Sequence, residues 1–105
     1  MRDAIPALIA KWESTLDVQV PEWTVRRMRT KWGTCNRETR RLTFNTELAK
    51  KDPTCLEYIV VHEMMHYFER NHGERFITLM DAAMPNGRSR RDRLNDAPLA
   101  EEKWK

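Results

Sequence analysis

All three histidines of the sequence lie in one segment, VVHEMMHYFERNHGERF, which spans residues 60–76. The segment begins in an almost wholly apolar run that His62, Glu63 and His66 interrupt. Burying an imidazole or a carboxylate without a compensating partner costs several kcal/mol, on the order of 2–5. A bound metal ion would offset that cost. The pattern therefore predicts a metal site in this segment.

The spacing of these residues suits a helix-borne zinc site. His62 and His66 are four residues apart, so on a helix they lie on one face about one turn from each other. Glu63 lies about 100° round from His62 and can reach an open position on the metal without ligating it. In this H-E-x-x-H arrangement two neutral imidazoles hold Zn²⁺ and the glutamate transfers protons. The other interpretation, two histidines satisfied by the core, does not explain why every histidine of the chain clusters here.

A third protein ligand is needed, because a catalytic zinc site has three of them and one open position. His72 lies six residues after His66, the offset of the third histidine in the metzincin pattern H-E-x-x-H-x-x-G-x-x-H. Glu69 occupies the position of the glycine in that pattern, so residues 71–73 would have to supply the turn. Glu74 is the competing third ligand, since some zinc hydrolases use a carboxylate.

The elements that must position these residues follow from apolar periodicity and from turn residues. An amphipathic helix is predicted over Ala4–Thr15, followed after Pro21 by three strands in EWTVRRMRT, TKWGTC and RLTFN, the last two forming a hairpin around NRETR. Further helices are predicted at residues 46–51, from Pro53 to residue 69 or 70, at ERFITLMDAAM and at 88–94, before an irregular tail. Three strands and four or five helices in non-alternating order predict an α+β fold.

The strand TKWGTC holds a second candidate functional feature. A glycine inside a strand often marks the close approach of another backbone or of a ligand. Extended peptides can bind by adding to the edge of a sheet. We therefore predict that Trp32 and Gly33 form the rim of a substrate site. The alternative is that Gly33 forms a bulge and Trp32 packs in the core.

Length and composition limit the class of protein. The 105 residues correspond to one domain, and 40% hydrophobic with 33% charged residues predicts a soluble, cytoplasmic one. The longest apolar run is well short of the roughly 18 residues that a membrane span needs, and nothing at the N-terminus resembles a signal peptide. Cys35 and Cys55 show no disulfide or CxxC pattern, which indicates a reducing compartment.

Three separate segments, RTKWGTCN, LTFNTELAKKDPTCLEYIVVHEMMHYFERNHGERF and MPNGRSRRDRLNDAPLAEEKW, resemble the YgjP-like metallopeptidase family and, more distantly, SprT-like proteases. The resemblance covers residues 21–104. It implies one zincin-like catalytic domain over residues 1–105, with a small three-stranded sheet packed on a central HExxH helix. It also implies that His62, His66 and His72 hold Zn²⁺ and that Glu63 is catalytic. Gly73 stands where the family usually has serine, and this departure removes no ligand.

The predicted function is zinc-dependent hydrolysis of peptide bonds in a peptide or protein substrate, with a metal-activated water and Glu63 as general base. Three neutral ligands leave the charge of the ion intact, which suits an oxyanion and a phosphate equally. Since some YgjP-like proteins are described as nucleotide pyrophosphatases, hydrolysis of a nucleoside triphosphate is the alternative. A non-enzymatic nucleic-acid-binding domain with a structural metal ranks last. Nucleic-acid binding is suggested by the net charge of +3 and by the arginines of RRMRTK and RSRRDR. However, no aromatic residues alternate with the basic ones. We expect no membrane partner.

Overall fold

Three short strands and four α-helices make up the part of the chain that the structure, a computed structural model, describes, namely residues 2–96. In chain order they are α1 (Ile5–Leu16), β1 (Glu22–Arg26), β2 (Gly33–Cys35), β3 (Arg41–Asn45), a 3₁₀ helix (Thr46–Lys50), α2 (Pro53–Met65), α3 (Glu74–Ala83) and α4 (Gly87–Asp96). The predicted α+β class is confirmed. The predicted irregular tail lies outside the described residues.

The sheet has the order β1-β3-β2, so β2 lies at an edge. The predicted hairpin is present: β2 pairs antiparallel with β3, and Gly33 is opposite Phe44. In its turn the side chain of Asn36 accepts hydrogen bonds from the backbone of Glu38 and Thr39. On its other side β3 pairs parallel with β1, where Val25 is opposite the same Phe44. The central strand β3 therefore pairs with β2, which precedes it directly in the sequence, and with β1, which lies further away along the chain.

Helix α2 is the centre of the molecule. It begins as the sequence predicts, with the Asp52 side chain accepting from the Thr54 backbone at 2.9 Å and Pro53 in the first turn. Ten of its residues are buried: Cys55, Leu56, Tyr58, Ile59, Val60, Val61, His62, Glu63, Met64 and Met65. The other three α-helices, β2 and β3 all pack on it. Because partners surround it, α2 is apolar around most of its circumference.

The end of α2 differs from the prediction. The helix was expected to continue to residue 69 or 70, but it ends at Met65. The next backbone bonds, from Tyr67 to Met64 at 3.0 Å and from Phe68 to Met65 at 2.9 Å, span three residues and tighten the chain into a 3₁₀-type turn. The side chain of Phe68 is 43% exposed, so the burial that favours the helix has ended by this point. Gly73 has φ −81°, and the turn uses no left-handed residue there.

Helix α1 covers one side of α2. Its buried face consists of Ile5, Ile9 and Trp12, the periodic residues of the sequence. The indole of Trp12 donates to Glu57 on α2 at 2.9 Å. No helix within residues 2–96 has the length and apolar character that crossing a membrane requires.

Candidate metal centre

The three histidines converge on one point. Their ring centroids are 5.1 Å apart for His62 and His66, 4.9 Å for His62 and His72, and 4.8 Å for His66 and His72. One ligand nitrogen from each ring lies within 4.8 Å of the others, and Nε2 of His66 is 3.1 Å from Nε2 of His72. Two nitrogens on one tetrahedral zinc ion at the usual bond lengths are about 3.3 Å apart. The His66–His72 pair is close to this spacing, and the three imidazoles together could hold one metal ion.

Different parts of the chain deliver the three rings. His62 lies in the last turn of α2, and His66 is the residue at which that helix is capped. His72 lies in the segment between that helix and α3, which brings its ring against those of the other two. His62 is 1% exposed, His66 is half-buried and His72 is exposed. The centre is thus closed on the α2 side and accessible on the His72 side.

The chain orients the ring of His66. Its Nδ1 lies 3.0 Å from the backbone carbonyl of Glu69. A carbonyl oxygen can only accept, so Nδ1 carries the proton and Nε2 keeps the lone pair that a metal needs. Burial lowers the pKa of His66, and although Glu63 opposes this change, His62 adds to it. The net effect favours the neutral imidazole, which is the ligand form.

Glu63 lies beside the histidines, within the core. It is 2% exposed, and its Oε2 is 3.3 Å from Nδ1 of His62. Among residues 2–96 no hydrogen bond is made to that oxygen. A buried carboxylate oxygen with so little compensation is costly in a purely structural role. Its place next to three convergent imidazoles suits a group that exchanges a proton with a nearby water.

Phe76 of α3 supports all three rings. Its centroid lies 4.9 Å from His62, 4.8 Å from His66 and 4.9 Å from His72, and its ring stacks on that of His66 at 29°. Phe76 is 3% exposed. It forms an apolar floor under the histidines. Phe76 was not predicted as a site residue, although its position four residues after His72, on the apolar face of a predicted amphipathic helix, was a signal in the sequence.

Both residues of the predicted rim of the substrate site are buried. Trp32 is 3% exposed and packs in the core. Gly33 is buried as well, and its close neighbours are Ile59 and Glu63 of α2. The close approach that the glycine indicated is therefore made by the central helix. Contact of the substrate with Trp32 or Gly33 stays a prediction. The burial of the Trp32 ring does not support such a contact for that residue.

The three histidines are not joined by Glu74, Cys35 or Cys55 in the ligand cluster found within residues 2–96. Glu74, the competing third ligand, is exposed at the start of α3 and does not belong to the ligand cluster found among the described residues. Cys35 and Cys55 are not in that cluster and form no disulfide within residues 2–96. Burial, followed by the charge of Glu63, raises the pKa of the Cys35 thiol to about 11, so it is protonated at neutral pH.

Tyr67, which follows His66, is held by the hairpin. Its hydroxyl donates to the backbone carbonyl of Arg40 at 2.6 Å, and the Arg40 guanidinium lies 3.9 Å from the centre of its ring. Burial raises the pKa of Tyr67 to about 12. This tyrosine therefore ties the turn after α2 to the β2–β3 hairpin.

Known proteins resemble this chain in sequence and in fold. The sequence matches the family model described as YgjP-like, metallopeptidase domain, over residues 1–97. No curated protein matches it. The fold is similar to the crystal structure of the metallopeptidase zymogen of Pyrococcus abyssi abylysin, with a TM-score of 0.77 and 16% identity over 88% of this chain and 92% of that one. It is also similar to the metallopeptidase zymogen of Methanocaldococcus jannaschii jannalysin, with a TM-score of 0.64 and 22% identity over 74% and 79% of the two chains. At these identities the structural likeness shows the fold alone.

Proposed function

The chain belongs to the YgjP-like metallopeptidase family, and from that premise we propose that it is a zinc-dependent peptidase in which His62, His66 and His72 hold the ion and Glu63 is the general base. Family membership identifies the chain as a metallohydrolase. The identity of the metal, of its ligands and of the general base is what we propose. One observation carries it: three imidazole nitrogens within 4.8 Å of one another, next to a buried glutamate.

The ligand chemistry favours zinc. Imidazole nitrogen suits zinc, copper, iron and nickel, whereas magnesium and calcium prefer oxygen ligands. Three neutral histidines with a fourth, open position is a recurring arrangement of catalytic zinc. The exposed side of the centre, at His72, is where the open position would meet substrate.

The residues of the chain have separate tasks in the reaction. A zinc ion held there would supply Lewis acidity, which polarises a substrate carbonyl and makes water a nucleophile at neutral pH. Glu63 accepts the proton of the attacking water and then donates it to the departing amine. The backbone carbonyl of Glu69 fixes the orientation of His66 through its Nδ1 proton. The apolar surroundings of α2 exclude bulk water from the inner side of the site, which strengthens each electrostatic contact.

The sheet edge suggests how a peptide would bind. Strand β2 is an edge strand that pairs with β3 on one side, and Gly33 at its start lies against Glu63. An extended peptide that adds to β2 by main-chain hydrogen bonds would pass close to the proposed base. The backbone of β2, and not the Trp32 ring, is therefore the proposed contact.

The test is cleavage of unfolded protein or peptide by the purified chain, with and without one equivalent of zinc. We expect cleavage that requires zinc and that falls by about 10²–10⁴-fold in Glu63→Gln, with zinc still bound. Glu57→Gln, the same change on the same helix but away from the histidines, is the matched control and should retain activity. Absence of cleavage by the zinc-loaded wild type, or full activity in Glu63→Gln, would refute the proposal. No observation within residues 2–96 favours the nucleotide or the nucleic-acid alternative, and pyrophosphate release in the same preparations tests the former.

A further inference from the structure

We infer that Gly33 is a positioning residue for Glu63: the missing side chain on β2 leaves the space in which the carboxylate of the central helix stands. The inference rests on the proposed function for its catalytic consequence. The packing between the two residues can be tested without it.

The space at Gly33 is occupied by α2. A Cβ atom added at this position would lie 2.9 Å from Cγ2 of Ile59, 3.0 Å from Cγ of Glu63 and 3.1 Å from Oε2 of Glu63. Two of these three neighbours belong to the proposed base, and one of them is its carboxylate oxygen. The first distance is shorter than real Cβ atoms show, and the other two are tighter than most Cβ contacts.

The backbone of Gly33 does not itself call for glycine. None of the glycines within residues 2–96 has a positive φ, so an L-residue could adopt the conformation of Gly33. The requirement is therefore for space. Gly73 offers a direct comparison, because it too lacks a positive φ and a Cβ added there would have no neighbour within 4 Å.

Neither the strand backbone nor the Ile59 side chain can move away from this contact easily. On the strand side, the backbone just before Gly33 is held by Asn45, whose N–H donates to the carbonyl of Trp32 at 2.9 Å and whose side chain donates to that of Lys31 at 2.7 Å. Gly33 itself is opposite Phe44 in the pairing of β2 with β3. On the helix side, Ile59 is fully buried. The Glu63 side chain, which has rotatable bonds, is the group that must yield. An added methyl group would therefore displace the carboxylate from the histidines.

The first experiment needs no activity. Melting temperatures are measured on zinc-free protein for the wild type, Gly33→Ala, Glu63→Ala and the double variant. We expect Gly33→Ala to lower the melting temperature by several degrees when Glu63 is present and by clearly less when residue 63 is alanine, since the Cγ and Oε2 contacts are then gone. Equal decreases in the two backgrounds would overturn the inference. Gly73→Ala is the matched control and should give the same small change in both backgrounds.

The second experiment separates positioning from a loss of structure. In the zinc-loaded protein, Gly33→Ala should reduce kcat by about tenfold or more, because a reacting group misplaced by about 1 Å can cost 10²-fold. KM and zinc affinity should stay within about twofold of the wild type, since the histidines are untouched. Unchanged kcat, or a parallel loss of zinc, would overturn the inference. If the wild type cleaves no peptide, the proposed function fails, while the melting experiment still decides whether residues 33 and 63 compete for space.

Discussion

At the scale of single residues, the proposed chemistry depends on three imidazoles that differ in burial but lie together. His62 is nearly inaccessible, His66 is half-buried and His72 is exposed. In the proposed reaction this gradient in burial would let the inner ligands and Glu63 act in a dry environment, where electrostatic contacts are strong, with the outer side open to substrate. The residue types and their four-residue spacing predicted that His62 and His66 would lie on one face of a helix, because helix geometry fixes that arrangement.

The first prediction concerns Phe76. Because its ring contacts all three histidines, we expect Phe76→Ala to weaken zinc binding by about 10–100-fold, as is usual when groups that orient ligands are removed. Affinity is measured by competition with a chromophoric chelator. Phe76→Leu keeps an apolar side chain in case the alanine variant does not fold, and it should show a smaller loss. Ile77→Ala, an exposed neighbour on α3, is the control. Wild-type affinity in both Phe76 variants would contradict this role.

Other residue-scale features were beyond what the sequence could predict. A glycine in a strand indicates that something approaches closely, but the pattern does not say what. The approaching groups proved to be Ile59 and Glu63, and these come from α2, which follows β2 only after β3 and the 3₁₀ helix. The competition between His72 and Glu74 could not be decided either, because both follow a turn whose geometry depends on where α2 ends.

At the scale of elements, the early end of α2 shapes the site. A helix that continued to residue 69 or 70 would carry the chain away along its axis. The helix instead ends at Met65 in a 3₁₀-type turn, and the segment between this turn and α3 places Nε2 of His72 3.1 Å from Nε2 of His66. Sequence periodicity predicted the extent of the apolar run, but helix ends are set by local hydrogen bonds that the pattern does not encode. Tyr67 strengthens this turn through its bond to Arg40 on the hairpin.

The second prediction concerns Asn45, which organises the segment before β2. Asn45 is fully buried, its Nδ2 donates to the carbonyls of Met28 and Lys31, and its Oδ1 accepts from the backbone of Glu47. Asn45→Asp keeps the shape but loses both donated bonds and places a carboxylate against two carbonyl oxygens. We expect the free energy of unfolding to fall by about 2–4 kcal/mol in urea denaturation.

The control for Asn45 is the same substitution in the hairpin turn. Asn36 is exposed, and its Oδ1 accepts from two backbone N–H groups, a task that aspartate performs as well. Asn36→Asp should change the free energy of unfolding by less than about 0.5 kcal/mol. Similar effects of the two substitutions would show that the donated bonds of Asn45 are not what holds this segment.

The third prediction concerns the contact between α1 and α2 and its dependence on pH. Burial acts to raise the pKa of Glu57, but hydrogen bonds from Lys11 and Trp12 outweigh it and lower that pKa below the ordinary value of 4.5. A carboxylate with a lowered pKa in the folded state stabilises the protein above the unfolded value, and the stabilisation is lost as pH falls through the folded value. The difference in melting temperature between wild type and Glu57→Gln should therefore be constant above about pH 5 and shrink below it.

The expected size of this effect is modest. Lys11 is 59% exposed, so the contribution at neutral pH should be at most about 1 kcal/mol. A difference that grew on acidification, or that did not change between about pH 6 and pH 3, would show that the carboxylate does not act as described.

At the scale of the whole molecule, one helix is buried on all sides by a small number of partners. Helices α1, α3 and α4 and strands β2 and β3 each contact α2, so the site it carries is rigid on its inner side. The sequence predicted the strands, the hairpin and the α+β class, because these depend on local alternation and turn residues. The sequence did not predict the parallel pairing of β1 with β3. An alternating pattern of apolar residues specifies which face of a strand is buried, and not which strand it pairs with. The extent of a single domain over residues 1–105 and a cytoplasmic location stay predictions.

The most direct test of the account is a calorimetric titration of chelator-treated protein with zinc. We expect one equivalent to bind to the wild type and to Glu63→Gln, because the base does not ligate. Tight binding should be lost in His66→Ala, because this substitution removes the imidazole whose Nε2 lies 3.1 Å from Nε2 of His72. Failure of the wild type to bind zinc, or wild-type binding by His66→Ala, would contradict the claim that these histidines form a metal centre.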